Sequence, residues 1–177
     1  MIEYLKIFSY IFNMNEIRIE LAKHEEINII LKIYAKARIY MKENGNETQW
    51  GEFYPSKEII LDDINDKVLY VIKKDDIIRG VFAFKIGVDP TYLKIYEGNW
   101  INDGEYGVIH RIASGNTIKK ILLLSINFAL TKINHLRIDT HENNKIMNEC
   151  LLKYGFSRRG IIYCDDGTSR NAYEFLK

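Results

Sequence analysis

From Ile17 to Leu21 apolar and polar residues alternate, the period of a strand with one buried face. From His24 to Glu43 the apolar residues Ile27, Ile30, Leu31, Ile33, Tyr34, Ala37 and Met41 recur at helical spacing, which predicts a first helix. The polar stretch 44–50 reads as a loop, and Ser56 after Pro55 offers an N-cap for a short second helix ending near Asn65. Val68 to Lys73 and Ile77 to Ile86 are branched, apolar runs joined by Lys74-Asp75-Asp76, the pattern of an antiparallel hairpin, with Gly80 marking a bulge. Between Gly87 and Glu105 periodicity is lost and aromatic residues accumulate, a connection long enough to suggest function as much as packing. Strand character resumes from Tyr106 to Ala113. A helix over Thr117 to Lys132, a strand over His135 to Thr140 and a helix over Asn144 to Tyr154 follow, the last stopped by Gly155. Ser157 to Tyr163 and Asn171 to Leu176 bracket Asp165 to Ser169 as a closing hairpin.

With 177 residues, 47% of them hydrophobic and 28% charged, the chain suits one folded domain, placed at residues 14–177. Residues 1–13 carry an apolar patch broken by Glu3, Lys6 and Ser9, too short to span a bilayer. They read as an N-terminal extension before Met14 or as a packed helical turn. Twenty-five Lys and Arg against 24 Asp and Glu leave a net charge of +1, so no global field draws the molecule to nucleic acid or to a membrane. An anion site must therefore be local. Cys150 and Cys164 stand far apart with no Cys-x-x-Cys pair and no histidine at ligand spacing, which argues against a disulfide framework or a metal and for a reducing cytoplasm.

The last third brings strand, polar turn, helix, strand, Asn turn and helix, which sets two helix N-termini beside each other at one edge of a sheet. At Ser114-Gly115-Asn116-Thr117 the unpaired N-H groups of a helix start favour an anion, and Lys119 and Lys120 add positive charge. An ordinary helix cap is the alternative.

Several motifs in this order carry a resemblance: Gln49-Trp50, Tyr54-Pro55, Asp89 to Tyr92, His110 to Ser114, Arg137 to His141 and the Gly155-Phe156 pair. Together they resemble bacterial members of the GNAT acetyltransferase superfamily, from Ile17 to the end. The resemblance implies an α/β fold with a mixed, mostly antiparallel central sheet, a splayed parallel strand pair and helices on both faces. It also implies acetyl-CoA as co-substrate, without a metal. The backbone of Ile112, Ala113 and Ser114 would pair with the pantetheine arm. The amides of Asn116, Thr117, Ile118, Lys119 and Lys120 would receive the pyrophosphate, and Asn144 would contact the pantetheine or adenosine end. Two departures stand out. The family's turn is glycine-rich where this chain has Thr117, Lys120 and Leu122, which hinders close approach unless Lys120 itself contacts phosphate. Leu151 occupies the position of a frequent thiolate-protonating Tyr, leaving Tyr154 or a water for that step.

Acetyl transfer needs a neutral amine, a polarised carbonyl and a protonated leaving thiolate. His110, on the strand entering the turn, and His141, after the next strand, are candidate bases, with Glu105 acting through water as a third. A backbone N-H near Ile112 would polarise the carbonyl, as the resemblance implies. Trp50, Tyr54, Tyr92, Tyr96 and Trp100 are candidate acceptor-pocket residues, with Asp89 and Glu97 available to an ammonium; core packing is the alternative for the aromatics. Arg111, Arg137 and Asp139 on the two central strands are expected to form a buried ion pair. The expected partner is a small-molecule amine, not nucleic acid or membrane, and the closing hairpin's edge leaves a homodimer open. A catalytically silent module of the same fold, binding acyl-CoA or a protein, is the competing reading.

Overall fold

The computed structural model describes residues 17–115 and 120–177, so the extension at 1–13 and the turn residues Asn116, Thr117, Ile118 and Lys119 lie outside the described residues. The elements are β1 (Ile17–Leu21), α1 (Ile27–Glu43), α2 (Lys57–Asn65), β2 (Leu69–Lys74), β3 (Ile77–Ile86), β4 (Gly107–Ser114), α3 (Ile121–Leu130), β5 (His135–Thr140), α4 (Lys145–Lys153), β6 (Ser157–Tyr163) and β7 (Ser169–Leu176). The strands form one sheet in the order β1-β2-β3-β4-β5-β7-β6. All neighbours run antiparallel except β4 and β5. No helix among the described residues is long and apolar enough to cross a membrane.

Local signals explain most boundaries. Ser56 Oγ accepts from the Ile59 N-H at 3.3 Å and starts α2. Gly155, at φ +89°, ends α4: its N-H reaches Leu152 O and the Phe156 N-H reaches Leu151 O, which satisfies two terminal carbonyls. Gly80 does sit at a bulge, because Ile72 faces Gly80 and Lys73 faces Ile78, leaving Arg79 extra. The helix expected over Thr117 to Lys132 is shorter, because Lys120 takes a left-handed backbone (φ 68°) and the helical run begins at Ile121.

Apolar side chains bury on both faces of the sheet. Leu124, Ile126 and Ala129 of α3 and Leu151 of α4 pack on Phe82, Phe84, Ile109, Leu136, Ile138 and Tyr173. On the opposite face Ile30, Ile33 and Tyr34 of α1 and Ile60 and Ile64 of α2 cover Leu69, Val71, Val81 and Ala83. The rest of that face is covered by the irregular segment 87–106, whose Tyr92 and Tyr106 pack on Val108, Ile162 and Ala172. That segment stands in for a helix.

Polar anchors hold it there. Buried Glu174 accepts from the Ile101 N-H (2.6 Å) and from Arg137 Nε (3.0 Å), and lies 2.7 Å from His135 Nε2. The Arg137 guanidinium is sandwiched between the Trp100 and Tyr106 rings, 4.1 and 3.9 Å from their centroids. Tyr96 exchanges backbone bonds of 2.8 Å with Ile161, which caps the outer edge of β6 at that point.

Arg111, Arg137 and Asp139 are not partners of one another. Arg111 grips Asp63 of α2, Arg137 pairs with Glu174 of β7, and Asp139 accepts from the Tyr92 hydroxyl. Partner choice follows what each strand face packs against, which helix and loop placement decide. A second correction concerns the two helix starts. They follow β4 and β5, which are central strands, so they sit at the strands' ends within the sheet rather than at its lateral edge.

Candidate active site

β4 and β5 pair only at Gly107 with Leu136 and Val108 with Arg137, and then part. A bulge in β4 accounts for the divergence. Val81 faces Ala113 while Ala83 faces His110, so β4 carries one extra residue and bends. Arg111 within the bulge has φ +51°, a conformation that costs a side-chain-bearing residue about 1 kcal/mol and that its surroundings enforce. Its carbonyl accepts from the Tyr34 hydroxyl at 2.9 Å. Its guanidinium donates to both Asp63 oxygens, at 2.9 and 2.7 Å, and to the Tyr54 hydroxyl at 3.2 Å. Burial pushes the Asp63 carboxyl upward, and Arg111 opposes that shift.

The split opens into a cleft of about 1170 Å³ lined by β4 from Val108 to Ser114, the start of α3, the end of β5, and the start of α4. Residues of the 48–54 loop and of the β6–β7 turn complete its walls. Ile112, Ala113, Ser114, Lys120 and Asn144 therefore meet in one place. Lys120 has the left-handed backbone that glycine adopts freely, so the chain keeps a glycine-like conformation at this position while presenting a lysine. Buried Thr140 Oγ1, also on the wall, has no hydrogen-bond partner among the described residues, which suits a ligand rich in amide groups. Asn144 caps α4 through Met147 N (3.2 Å) and donates to Gln49 Oε1 (3.2 Å), tying the 44–56 loop to the helix start.

His110 stands just past the vertex of the split. Its Nε2 lies 2.9 Å from Asp89 Oδ2, its Nδ1 lies 3.7 Å from Asp139 Oδ1, and its ring stacks on Tyr92 with centroids 5.9 Å apart. Lys85 Nζ is 3.0 Å from the same Asp89 oxygen. Burial opposes ionisation of Asp89, but the hydrogen bond and charge of His110, helped by Lys85 and the Thr91 N-H, outweigh it and hold the carboxyl well below its usual 3.8. A depressed folded-state value means the stability this group contributes is fully present above about pH 4 and is lost as pH falls through the folded value. Between about pH 5 and pH 2 the wild type is therefore expected to lose more stability than Asp89→Asn. Urea midpoints across that range check it, and equal acid losses in the two proteins would refute it.

Trp50 and Tyr54 line the cleft, with ring centroids 6.2 Å apart and Trp50 edge-on to Tyr34. Tyr92 is buried behind His110, and Trp100 donates its indole N-H to Tyr92 O and packs on Arg137; neither lines the cleft. His141 accepts from the Asn143 N-H (3.1 Å), and burial with Arg170 nearby lowers its pKa; its side chain is also off the wall. Glu105 precedes β4 at the far end of the strand from Ser114 and is exposed outside the cleft. Leu151 is fully buried in the core, whereas Tyr154 lines the cleft. Asp63 escaped the sequence reading, although its spacing from Ile60 and Ile64 puts it on the buried face of α2. Among the described residues no group of three or more His, Cys, Asp or Glu could hold a metal.

No family model matches this sequence, and no curated protein matches it. Solved structures do. A GNAT-family acetyltransferase from Streptococcus agalactiae 2603 is 32% identical, with 91% of this chain and 95% of that one covered and a TM-score of 0.80. One from Listeria monocytogenes 4b F2365 is 19% identical, covering 91% and 95% at a TM-score of 0.66. A Salmonella typhimurium protein solved with its cofactor acetyl-CoA is 12% identical, covering 92% and 94% at a TM-score of 0.57. The last two share the fold.

Proposed function

Because this chain belongs to the GNAT family of acetyltransferases, we propose that it transfers an acetyl group directly from acetyl-CoA to the amine of a small or amino-acid-like acceptor, as a cytoplasmic enzyme. Acetyl-CoA supplies the activated acetyl group as a thioester. The β4 edge at Ile112 to Ser114, Thr140, Lys120 and Asn144 are the described residues that would hold it, and a backbone N-H near Ile112 would polarise the carbonyl.

The observation that best supports this reading is His110, fixed at the vertex of the split by Asp89. An ionised carboxylate can only accept, so Nε2 carries the hydrogen and Nδ1 keeps the lone pair. His110 Nδ1 takes a proton from the acceptor's ammonium, and the neutral amine forms the new C-N bond as the C-S bond breaks. Tyr154, on the cleft wall, delivers a proton to the departing thiolate and regains one from the amide nitrogen through solvent. The silent-module reading draws on Leu151, which is buried in the core at the position where the resemblance implies an acid.

Calorimetry with acetyl-CoA tests the proposal. Binding is expected, and none at millimolar ligand would overturn it. Lys120→Gly removes the strained left-handed side chain, so it is expected to raise stability by about 1 kcal/mol. If the ammonium contacts the diphosphate, the same change weakens acetyl-CoA binding, by about tenfold for one charged hydrogen bond.

A further inference from the structure

We infer that Asp139 and His110 together form the receiving site for the acceptor's amine, with Asp139 pairing with the ammonium and His110 Nδ1 taking its proton. The inference rests on the acetyltransferase reading above and assigns Asp139 a substrate contact within it.

Strand geometry places the two residues. Val108 and Arg137 are the last paired residues of β4 and β5, and side chains two positions further on point to the same face as those. His110 and Asp139 therefore face each other across the opening, ahead of the bulge at Arg111. Both line the cleft, and their side chains are 21% and 13% exposed, enough to be reached and little enough to limit screening. Nδ1 and Oδ1 are 3.7 Å apart, and both are acceptors once Nε2-H is committed to Asp89. Two acceptors at this spacing complement a single nitrogen donor about 2.9 Å from each. A neutral hydroxyl has one hydrogen and serves only one of them, whereas an ammonium serves both.

The surroundings keep Asp139 in position. The Tyr92 hydroxyl donates to its Oδ1 at 2.6 Å, and burial together with Asp139 raises the phenol well above its usual value, so this group stays a donor. The groups that face the pair from each packed element are Asp89 with Lys85, Tyr92, Asp63 of α2 held by Arg111, Cys164 beside Asp139, and Arg170 of β7 on the cleft wall near Cys164. Proton transfer from the ammonium to His110 creates an imidazolium between two carboxylates. The same charges that bind the ammonium stabilise this product, and no net charge is buried in the step. The neutral amine left against Asp139 then attacks the thioester carbon.

The Asp139→Asn protein tests this. Folding is checked by its melting temperature, and acetyl-CoA binding is expected within about twofold of wild type. In a panel of primary amines, KM for the best acceptor is expected to rise about 10- to 100-fold, with a smaller change in kcat. An unchanged KM with acetyl-CoA still bound would overturn the inference and leave the acetyltransferase reading intact. Failure of the wild type to bind acetyl-CoA would instead defeat that reading. A second measurement does not depend on turnover. Ethylammonium chloride added to protein labelled with ¹⁵N in its histidine rings is expected to shift the His110 Nδ1 resonance in wild type, and more weakly in Asp139→Asn. Tyr92→Phe is expected to fall between them. No shift in wild type at 100 mM probe, a concentration of about the Kd expected for one charged hydrogen bond or above, would also overturn it.

Discussion

In the His110→Ala protein, kcat for acetyl transfer is expected to fall about 10²- to 10⁴-fold, the range for losing a positioned general base. Acetyl-CoA binding should survive, because His110 lies at the vertex of the split while the β4 edge and Lys120 lie further along it. Tyr92 and Asp89 lose a stacked ring and a hydrogen bond, so the melting temperature is the control for folding. A loss under about tenfold would place the base elsewhere. His141 and Glu105 would then need the substrate to approach from outside the described cleft.

Glu174→Ala is expected to carry the largest stability effect, a loss of about 3–5 kcal/mol measured by urea unfolding. The carboxylate is fully buried and is the shared partner of His135 and Arg137, with Arg159 3.7 Å away. Truncation leaves the Arg137 guanidinium buried with the Asn102 carbonyl and the faces of Trp100 and Tyr106 around it among the described residues. It also frees the Ile101 N-H, which anchors the 87–106 segment. Because that segment carries Asp89 and Tyr92, the variant should lose activity along with stability. Glu174→Gln keeps the volume and one acceptor, so it is expected to lose less. A loss below about 1 kcal/mol in the alanine variant would mean that the two rings suffice to hold the arginine.

The fold was largely legible. β1 occupies the residues expected from alternation and β5 those expected of a strand, α2 starts after its Ser56 cap, and α4 stops ahead of Gly155. The site was legible in part. Ile112 to Ser114, Lys120, Asn144, Trp50, Tyr54 and His110 do line one cleft. Tyr92 and Trp100 came from the expected loop, but that loop folds down on the sheet and spends its aromatics on Arg137, Val108 and Ile162. Glu174 was not legible: in β7 it shares with Arg170 and Ala172 a face that reads as polar in sequence, yet all three are buried.

What the chain determined by itself is whatever depends on neighbours in sequence: the alternation of β1, the Ser56 and Gly155 caps and the hairpin at residues 74–76. The tertiary structure decided which charges meet. Asp89 with His110, Asp63 with Arg111 and Glu174 with Arg137 are 21, 48 and 37 residues apart. Pairings over such separations depend on strand order, on the one-residue bulge in β4 and on the loop that covers the sheet. Each of these is set by burial of the whole chain and not by its local periodicity.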